Sequence, residues 1–229
     1  MYEPFFCNFD RETNNMNSDL ISYYNNRAKE YEKIYSKPER QDDLLIASKI
    51  LQQIFSGKDV FEIACGTGYW TEKIAATAKN ILATDINDAV IEIAKAKAYP
   101  LKNAAFQNAD IFDQKERSVH ESLFGGFIWS HIKIQELQQF TGIVNGLVEK
   151  GGTVVFMDNN YVEGSNLPIT GEDEFGNTYQ TRMLEDGTTH KVLKNFPTEQ
   201  FIRQTLDEKS MEVDFISLQY YWILKYKRS

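Results

Sequence analysis

Apolar side chains recur along this chain with two different periods. In the first quarter the spacing is helical and predicts an amphipathic helix over roughly residues 18–35, with Ser18 or Asp19 as its cap. A second helical pattern begins near Pro38 and stops at Gly57. We therefore expect the N-terminal quarter to consist of helices.

From residue 59 onward, short apolar runs alternate with helical patterns. The predicted strands are 59–64, 80–85, 104–107, 126–130 and 153–158, and the predicted helices between them are 70–78, 87–98 and a segment that follows residue 130 and reaches Leu147. Strands and helices that alternate at this spacing indicate crossover connections, so we expect a mostly parallel sheet covered on both faces.

The alternation breaks after residue 160. Two strand-like runs flank Asp186 and Gly187, which predicts a hairpin inserted within about 160–195. A short helix is expected next, and residues 213–226, dense in β-branched and aromatic side chains, indicate two antiparallel edge strands.

Length and composition indicate an ordinary globular chain. The 229 residues are 42% hydrophobic and 25% charged, which suits one α/β domain. We expect a helical cap at 1–56 and a main domain at 57–229 that contains the hairpin insertion, together forming one compact unit that is a monomer or a homodimer.

Charge and cysteine content limit the binding partners and the cellular compartment that we expect. A net charge of -8 repels phosphate backbones, which disfavours nucleic acid as a partner. Cys7 and Cys65 lie far apart without metal-type spacing, as expected in a reducing, cytoplasmic compartment. No apolar run approaches about 18 residues, so we expect no membrane contact, and no set of acids and histidines predicts a metal site.

The stretch EIACGTGYW, residues 62–70, is the first candidate for chemistry. Gly66 and Gly68 fall between a predicted strand and a helix, where a turn without Cβ atoms lets a ligand approach the backbone; a tight turn without a ligand is the alternative. Asp85 ends the next strand and can accept hydrogen bonds from ribose hydroxyls. A dinucleotide-binding loop needs a third glycine where this chain has Thr71, which weakens a dehydrogenase interpretation.

Glu62 lies inside the first predicted strand. An unpaired carboxylate is costly to bury there, so a cationic group such as an ammonium is its natural partner.

Five segments in this order and spacing carry a family resemblance: VFEIACGTGYW, ILATDIN, QNADIFD, GFIWSH and GGTVVFMDNN. Together they resemble the class I S-adenosylmethionine-dependent methyltransferases over roughly residues 18–226. The resemblance implies an α/β, Rossmann-like fold with a mostly parallel seven-stranded sheet, helices on both faces and a final antiparallel hairpin. It also implies S-adenosylmethionine as the cofactor.

The resemblance assigns site residues by position. The glycine loop passes the methionine part of the cofactor, Glu62 lies near its amino group, Asp85 holds the ribose, and Asp110 with Ile111 borders the adenine. The full set implied is Glu62, Ala64, Cys65, Gly66, Thr67, Gly68, Asp85, Ile86, Asp110, Ile111 and Ser130. Ala64 stands where many members have the first glycine, and we expect only a modest effect on the loop.

The N-terminal segment YYNNRAKEYE is similar to a helix that caps the cofactor in many small-molecule methyltransferases, and its candidate contacts are Tyr23, Tyr24, Arg27 and Tyr31. Tyrosines that simply pack are the alternative. Arg27 is expected either to meet the cofactor carboxylate or to pair with Glu30 or Glu32.

His131 follows the fourth predicted strand and is the candidate catalytic base, since an acceptor must lose a proton; a histidine hydrogen-bonded within a loop is the alternative. The cap and the hairpin lie where a lid belongs, which favours a small-molecule methyl acceptor. A non-catalytic S-adenosylmethionine-binding protein and, less favoured, a nucleotide-dependent oxidoreductase are the competing functions.

Overall fold

A computed structural model of the protein describes residues 23–24, 26–28, 30–112, 118–206 and 208–229. Ser18 and Asp19, the predicted helix caps, and Cys7 lie outside the described residues.

The described elements follow the predicted alternation. The α-helices are α1 (Gln41–Phe55), α2 (Tyr69–Ala75), α3 (Asp88–Lys95), α4 (Leu137–Gly146) and α5 (Glu199–Thr205). The strands are β1 (Asp59–Ile63), β2 (Asn80–Asp85), β3 (Ala104–Asn108), β4 (His120–Gly126), β5 (Val148–Asn159), β6 (Gly171–Glu172), β7 (Thr178–Met183), β8 (Thr189–Leu193), β9 (Ser210–Ser217) and β10 (Tyr221–Arg228). Short 3-10 helices are formed by Tyr31–Ser36, Pro38–Arg40, Trp129–His131 and Ile134–Glu136.

Seven strands form one sheet in the order β3-β2-β1-β4-β5-β10-β9. The first five strands pair in parallel, whereas β10 is antiparallel to both β5 and β9. The predicted fold class is therefore confirmed. The strand order reverses between β1 and β4, and the crevice beyond the carboxyl ends of strands at such a point is where open α/β sheets bind ligands.

Core residues cover both faces of this sheet because adjacent side chains of a strand point in opposite directions. Val60 of β1 packs into a cluster with Leu51 of α1, whereas the next residue, Phe61, packs into the other cluster with Phe140 of α4. Burial of each such side chain stabilises the fold by about 1.5–3 kcal/mol.

The fourth strand differs from the prediction. It spans His120–Gly126, so the predicted run 126–130 begins where β4 ends. A Cβ atom on Gly125 would lie 2.8 Å from the ring of Phe156, so the glycine allows close packing at the end of the strand. Phe127 then takes a φ of +60°, and Trp129 fills the core from the 3-10 helix Trp129–His131 instead of from a strand.

The predicted single helix over 18–35 is also wrong in its second half. Residues 23–24 and 26–27 are helical, but Tyr31–Ser36 is a 3-10 helix. The ring of Tyr35 stacks on Tyr69 with centroids 3.8 Å apart, so a tertiary contact overrides the local helical pattern.

The hairpin insertion is confirmed and contains a third strand. β6, β7 and β8 form a separate antiparallel sheet, and Gly187 in the β7–β8 turn has a φ of +85°. The boundary between 1–56 and 57–229 remains a prediction. Among the described residues, no helix combines the length and apolar character needed to cross a bilayer.

Candidate functional site

The two glycines after β1 serve different purposes. Gly66 and Gly68 both have positive φ angles, +55° and +78°. A Cβ atom on Gly66 would meet nothing within 4 Å, whereas one on Gly68 would lie 2.8 Å from the Tyr99 hydroxyl and 2.9 Å from the Ala94 Cβ. Gly68 therefore allows α2 to approach α3, and Gly66 leaves the backbone open to a ligand.

Ala64, at the position of the family's first glycine, also has a left-handed φ of +52°. An L-residue is strained in this conformation by about 1–2 kcal/mol. We therefore expect Ala64→Gly to stabilise the protein by about 1 kcal/mol, a rise of about 2–4 °C in Tm for a chain of this size. Thermal unfolding checks this, with Lys102→Gly as the matched control, since Lys102 is exposed and has a φ of +51°. A lower Tm in Ala64→Gly alone would contradict the strain.

Asp85, at the end of β2, fixes the same loop. Its Oδ2 accepts a hydrogen bond from the Gly66 amide at 2.9 Å, and its Oδ1 accepts one from the Asn87 amide at 2.9 Å. Burial raises the pKa of this carboxyl, and the backbone donors oppose that rise. Each carboxylate oxygen keeps acceptor capacity, so Asp85 can bind further hydroxyl donors.

A cavity extends along the carboxyl ends of the parallel strands. One end is formed by Asp85, Ile86, Asp110 and Ile111 after β2 and β3, the middle by Ala64, Gly66 and Phe127, and the other end by Tyr24, His131 and Ile132. A smaller recess shares Ala64 and Gly66 and is lined by Glu62, Cys65 and Thr67. The arrangement provides room for an extended ligand with a side branch towards Glu62.

Glu62 is a buried carboxyl at the border of this recess. Its residue is 2% exposed, and Thr71 donates a hydrogen bond of 2.6 Å to its Oε2. Burial, with the nearby Asp85 charge, raises the pKa of Glu62 to about 8. A buried carboxyl bordering a recess fits a cationic ligand group such as the ammonium of S-adenosylmethionine. Thr71, the residue in place of a third glycine, thus orients this carboxyl.

Tyr24 and His131 meet at the far end of the cavity. The Nδ1 of His131 lies 2.6 Å from the Leu193 carbonyl oxygen, so it must donate there, which leaves Nε2 to accept a 2.7 Å hydrogen bond from the Tyr24 hydroxyl. Burial and the charges of Lys194 and Arg182 hold the pKa of His131 well below its usual value. The ring is therefore neutral at physiological pH.

Lys194 connects the insertion to the main sheet. Its Nζ donates to Ser130 Oγ at 2.5 Å and to Asp158 Oδ1 at 2.9 Å, while the Ser130 amide donates to Asp158 Oδ2. The backbone amide of Asn195 donates a further hydrogen bond to the Ser130 carbonyl oxygen. Although burial opposes it, the charge of Lys194 keeps the pKa of Asp158 low. Lys194 belongs to no recognisable sequence motif; only the predicted hairpin, at the position of a lid, points to this region.

The structure brings most predicted site residues to this cavity and its recess. Three differ. Ser130 is fully buried in the contact with Lys194 and Asp158, and Gly68 packs against α3. Arg27 donates to the Tyr23 hydroxyl at 2.8 Å and lies over the Tyr31 ring, so it forms neither of its predicted ion pairs.

Comparison with known proteins finds similarity to methyltransferases. Residues 60–152 match a family described as a methyltransferase domain. An uncharacterised methyltransferase of Bacillus pumilus is 20% identical over 226 residues, covering 93% of this chain and 99% of the relative. One of Anoxybacillus flavithermus is 23% identical, covering 64% of this chain and 70% of the relative.

Among solved structures, DhpI in complex with SAH is 23% identical with a TM-score of 0.77, and the DhpI-SAM-HEP complex has a TM-score of 0.74 at the same identity. Each match covers 93% of this chain and 97% of the other. At this identity the structural likeness shows a shared fold.

Proposed function

We propose that the chain is a class I S-adenosylmethionine-dependent methyltransferase whose methyl acceptor is a small molecule that reacts through an oxygen, nitrogen or carbon atom. When bound, S-adenosylmethionine supplies a methyl group on a sulfonium, which an aligned nucleophile displaces in line. The residues of this chain then have to orient the acceptor and exclude water.

The observation that carries the proposal is the cover over the acceptor end of the cavity. Tyr23 is buried with Leu184 and Val192 of the insertion, and its ring lies 5.3 Å from that of His190. The N-terminal segment and the β7–β8 hairpin thus meet above Tyr24. A covered cavity of this kind suits a small acceptor and keeps water from the reacting atoms.

We assign the cofactor contacts as the family resemblance implies them. Glu62 receives the ammonium, Asp85 the ribose hydroxyls, and Asp110 with Ile111 borders the adenine. What supports the assignment is that these groups line one continuous cavity and its recess, in this order.

We expect Asp85→Ala to weaken binding of S-adenosylhomocysteine at least tenfold, about 1.4 kcal/mol. The variant loses the proposed ribose acceptor and the two backbone bonds that hold Gly66 and Asn87. Calorimetric titration measures the effect, and Asp88→Ala is the matched control because Asp88 is an exposed carboxylate three residues away. Unchanged affinity in Asp85→Ala would refute the ribose assignment.

His131 remains the candidate base, with a defined route. Because Nε2 already accepts the Tyr24 hydroxyl, a proton from the acceptor reaches His131 only through that hydroxyl, which takes the proton as it passes its own to Nε2. The low pKa of His131 makes it a weak base. The arrangement therefore suits an acceptor that loses its proton readily.

Trapping of labelled product tests the function. The full chain is incubated with methyl-labelled S-adenosylmethionine and a metabolite extract, and products are identified by mass spectrometry. We expect label in a small molecule and much less label with Asp85→Ala. Label found only in protein or nucleic acid would contradict the proposal.

A further inference from the structure

Positive charge gathers around the acceptor end of the cavity, although the chain as a whole carries a net charge of -8. Lys194 is 4% exposed and bonds to Ser130, the neighbour of His131. The guanidinium of Arg182 lies 5.7 Å from the centroid of the Tyr23 ring. Both charges act on His131, and Arg182 also acts on Tyr24.

Further arginines border the same region. Arg27 lies over the rings of Tyr23 and Tyr31, at 5.6 and 5.5 Å. Arg40 is 6% exposed and donates to Asn159, at the carboxyl end of β5. Arg27 and Arg40, from the N-terminal part of the chain, therefore add to the positive charge of Arg182 and Lys194 from the insertion.

Carboxylates do not balance this charge. Within the described parts of the chain, Asp158 is the one carboxylate within 4 Å of any of these four cations, and it pairs with Lys194. Taking a cation out of water without a counter-charge is costly. The site is thus electrostatically prepared for an anion.

The four cations differ in how well neutral groups satisfy them. Arg40 bonds to Ser165 and Asn159 and stacks on Tyr220, which explains it as a structural residue. Arg182 instead directs both its Nε and an Nη to Gln180 Oε1, at 3.3 and 2.9 Å, and its further polar neighbours are the neutral hydroxyls of Tyr23 and Tyr24. A planar guanidinium with five N–H donors can also bind an oxyanion, preferably with two parallel bonds.

Resting on the proposed function, we propose that the methyl acceptor carries an oxyanion, a carboxylate, phosphate or phosphonate, and that Arg182 binds it beside Tyr24. Lys194, held by Asp158, adds positive potential from the side of His131. The anion would also offset the two charges that disfavour protonation of His131, so acceptor binding and proton removal support each other.

The test is a calorimetric titration of the full chain saturated with S-adenosylhomocysteine, in a buffer free of oxyanions and at low salt. The probes are inorganic phosphate, methylphosphonate and propionate, with neutral propionamide as the uncharged match of propionate. We expect at least one anion to bind saturably and propionamide not to bind. The anion that binds more tightly distinguishes a phosphorus oxyanion from a carboxylate.

Variants assign the binding to Arg182. Arg182→Gln should weaken the anion at least tenfold, Arg182→Lys should weaken it less, and Arg203→Gln, at an exposed arginine paired with Glu199, should leave it unchanged. Affinity for S-adenosylhomocysteine should stay constant in all three. Equal affinity for propionamide, undiminished anion binding in Arg182→Gln, or no anion binding while S-adenosylhomocysteine binds would overturn the inference. Failure of S-adenosylhomocysteine to bind the unaltered chain would instead be a failure of the cofactor site.

Discussion

Glu62→Gln is expected to stabilise the unliganded protein and to weaken its affinity for S-adenosylhomocysteine at the same time. The pKa of the buried carboxyl is about 8 in the folded protein, against an ordinary value of 4.5. Below the ordinary value both folded and unfolded states hold the proton, so Glu62 carries no penalty. Between pH 4.5 and about 8 the unfolded state has released the proton while the folded state still holds it. In this range the free energy of unfolding falls by about 1.4 kcal/mol per pH unit.

Glutamine has no charge to desolvate, so the stability gained by Glu62→Gln should grow between pH 5.5 and 7.5 and reach a few kcal/mol. Chemical unfolding at several pH values measures this gain. Glu163→Gln, at an exposed glutamate, is the control and should change little. A gain that does not depend on pH would mean that Glu62 is not the buried acid described here.

The affinity should move in the opposite direction. If Glu62 receives the cofactor ammonium, its loss should cost S-adenosylhomocysteine at least tenfold in Kd, because the ammonium then meets a neutral amide. A variant that is more stable yet binds as tightly as the parent would remove Glu62 from the cofactor site. The combined result would identify a residue that is retained for function at a cost in stability.

Gly68→Ala is expected to destabilise the fold by about 2–4 kcal/mol. The added Cβ would lie 2.8 Å from the Tyr99 hydroxyl, 2.9 Å from the Ala94 Cβ and 3.3 Å from the Ala94 Cα, so α2 and α3 would have to separate. The positive φ adds strain of about 1–2 kcal/mol.

Gly57→Ala separates the two causes, because Gly57 has a φ of +72° and a Cβ there would meet nothing within 4 Å. Chemical unfolding of both variants should show a clearly larger loss for Gly68→Ala. Equal losses would mean that backbone strain alone explains the glycine, and that the close approach of the two helices tolerates a methyl group.

The sequence could predict the part of the fold that depends on local periodicity. β2 spans the predicted residues because its apolar run ends at a polar residue, and the Asp186–Gly187 turn defines the hairpin. Periodicity misplaces the fourth strand because GFIWS is more apolar than HESLFGG, although Trp129 of that run fills the core from a 3-10 helix. Periodicity cannot reveal that Gly125, near the end of β4, is needed for close packing against Phe156.

The site residues also fall into two groups, those that a local motif predicts and those that only tertiary packing brings together. Glu62, Gly66 and Asp85 occupy fixed positions relative to their strands, so a motif predicts them. Arg182 and Lys194 belong to an insertion that follows His131 by many residues along the chain, and only the packing of that insertion brings their charges close to His131. Long-range placement of this kind has no local signature.

The central claim is that the cofactor lies across the carboxyl ends of β1 and β2, between Glu62 and Asp85. A crystal structure of the full chain with S-adenosylhomocysteine tests it most directly. We predict the ribose hydroxyls within hydrogen-bond distance of Asp85, the ammonium in the recess beside Glu62, and the sulfur facing Tyr24 and His131. A ligand bound elsewhere would contradict the account. So would a cavity at the carboxyl ends of β1 and β2 that the protein's own side chains fill at saturating ligand.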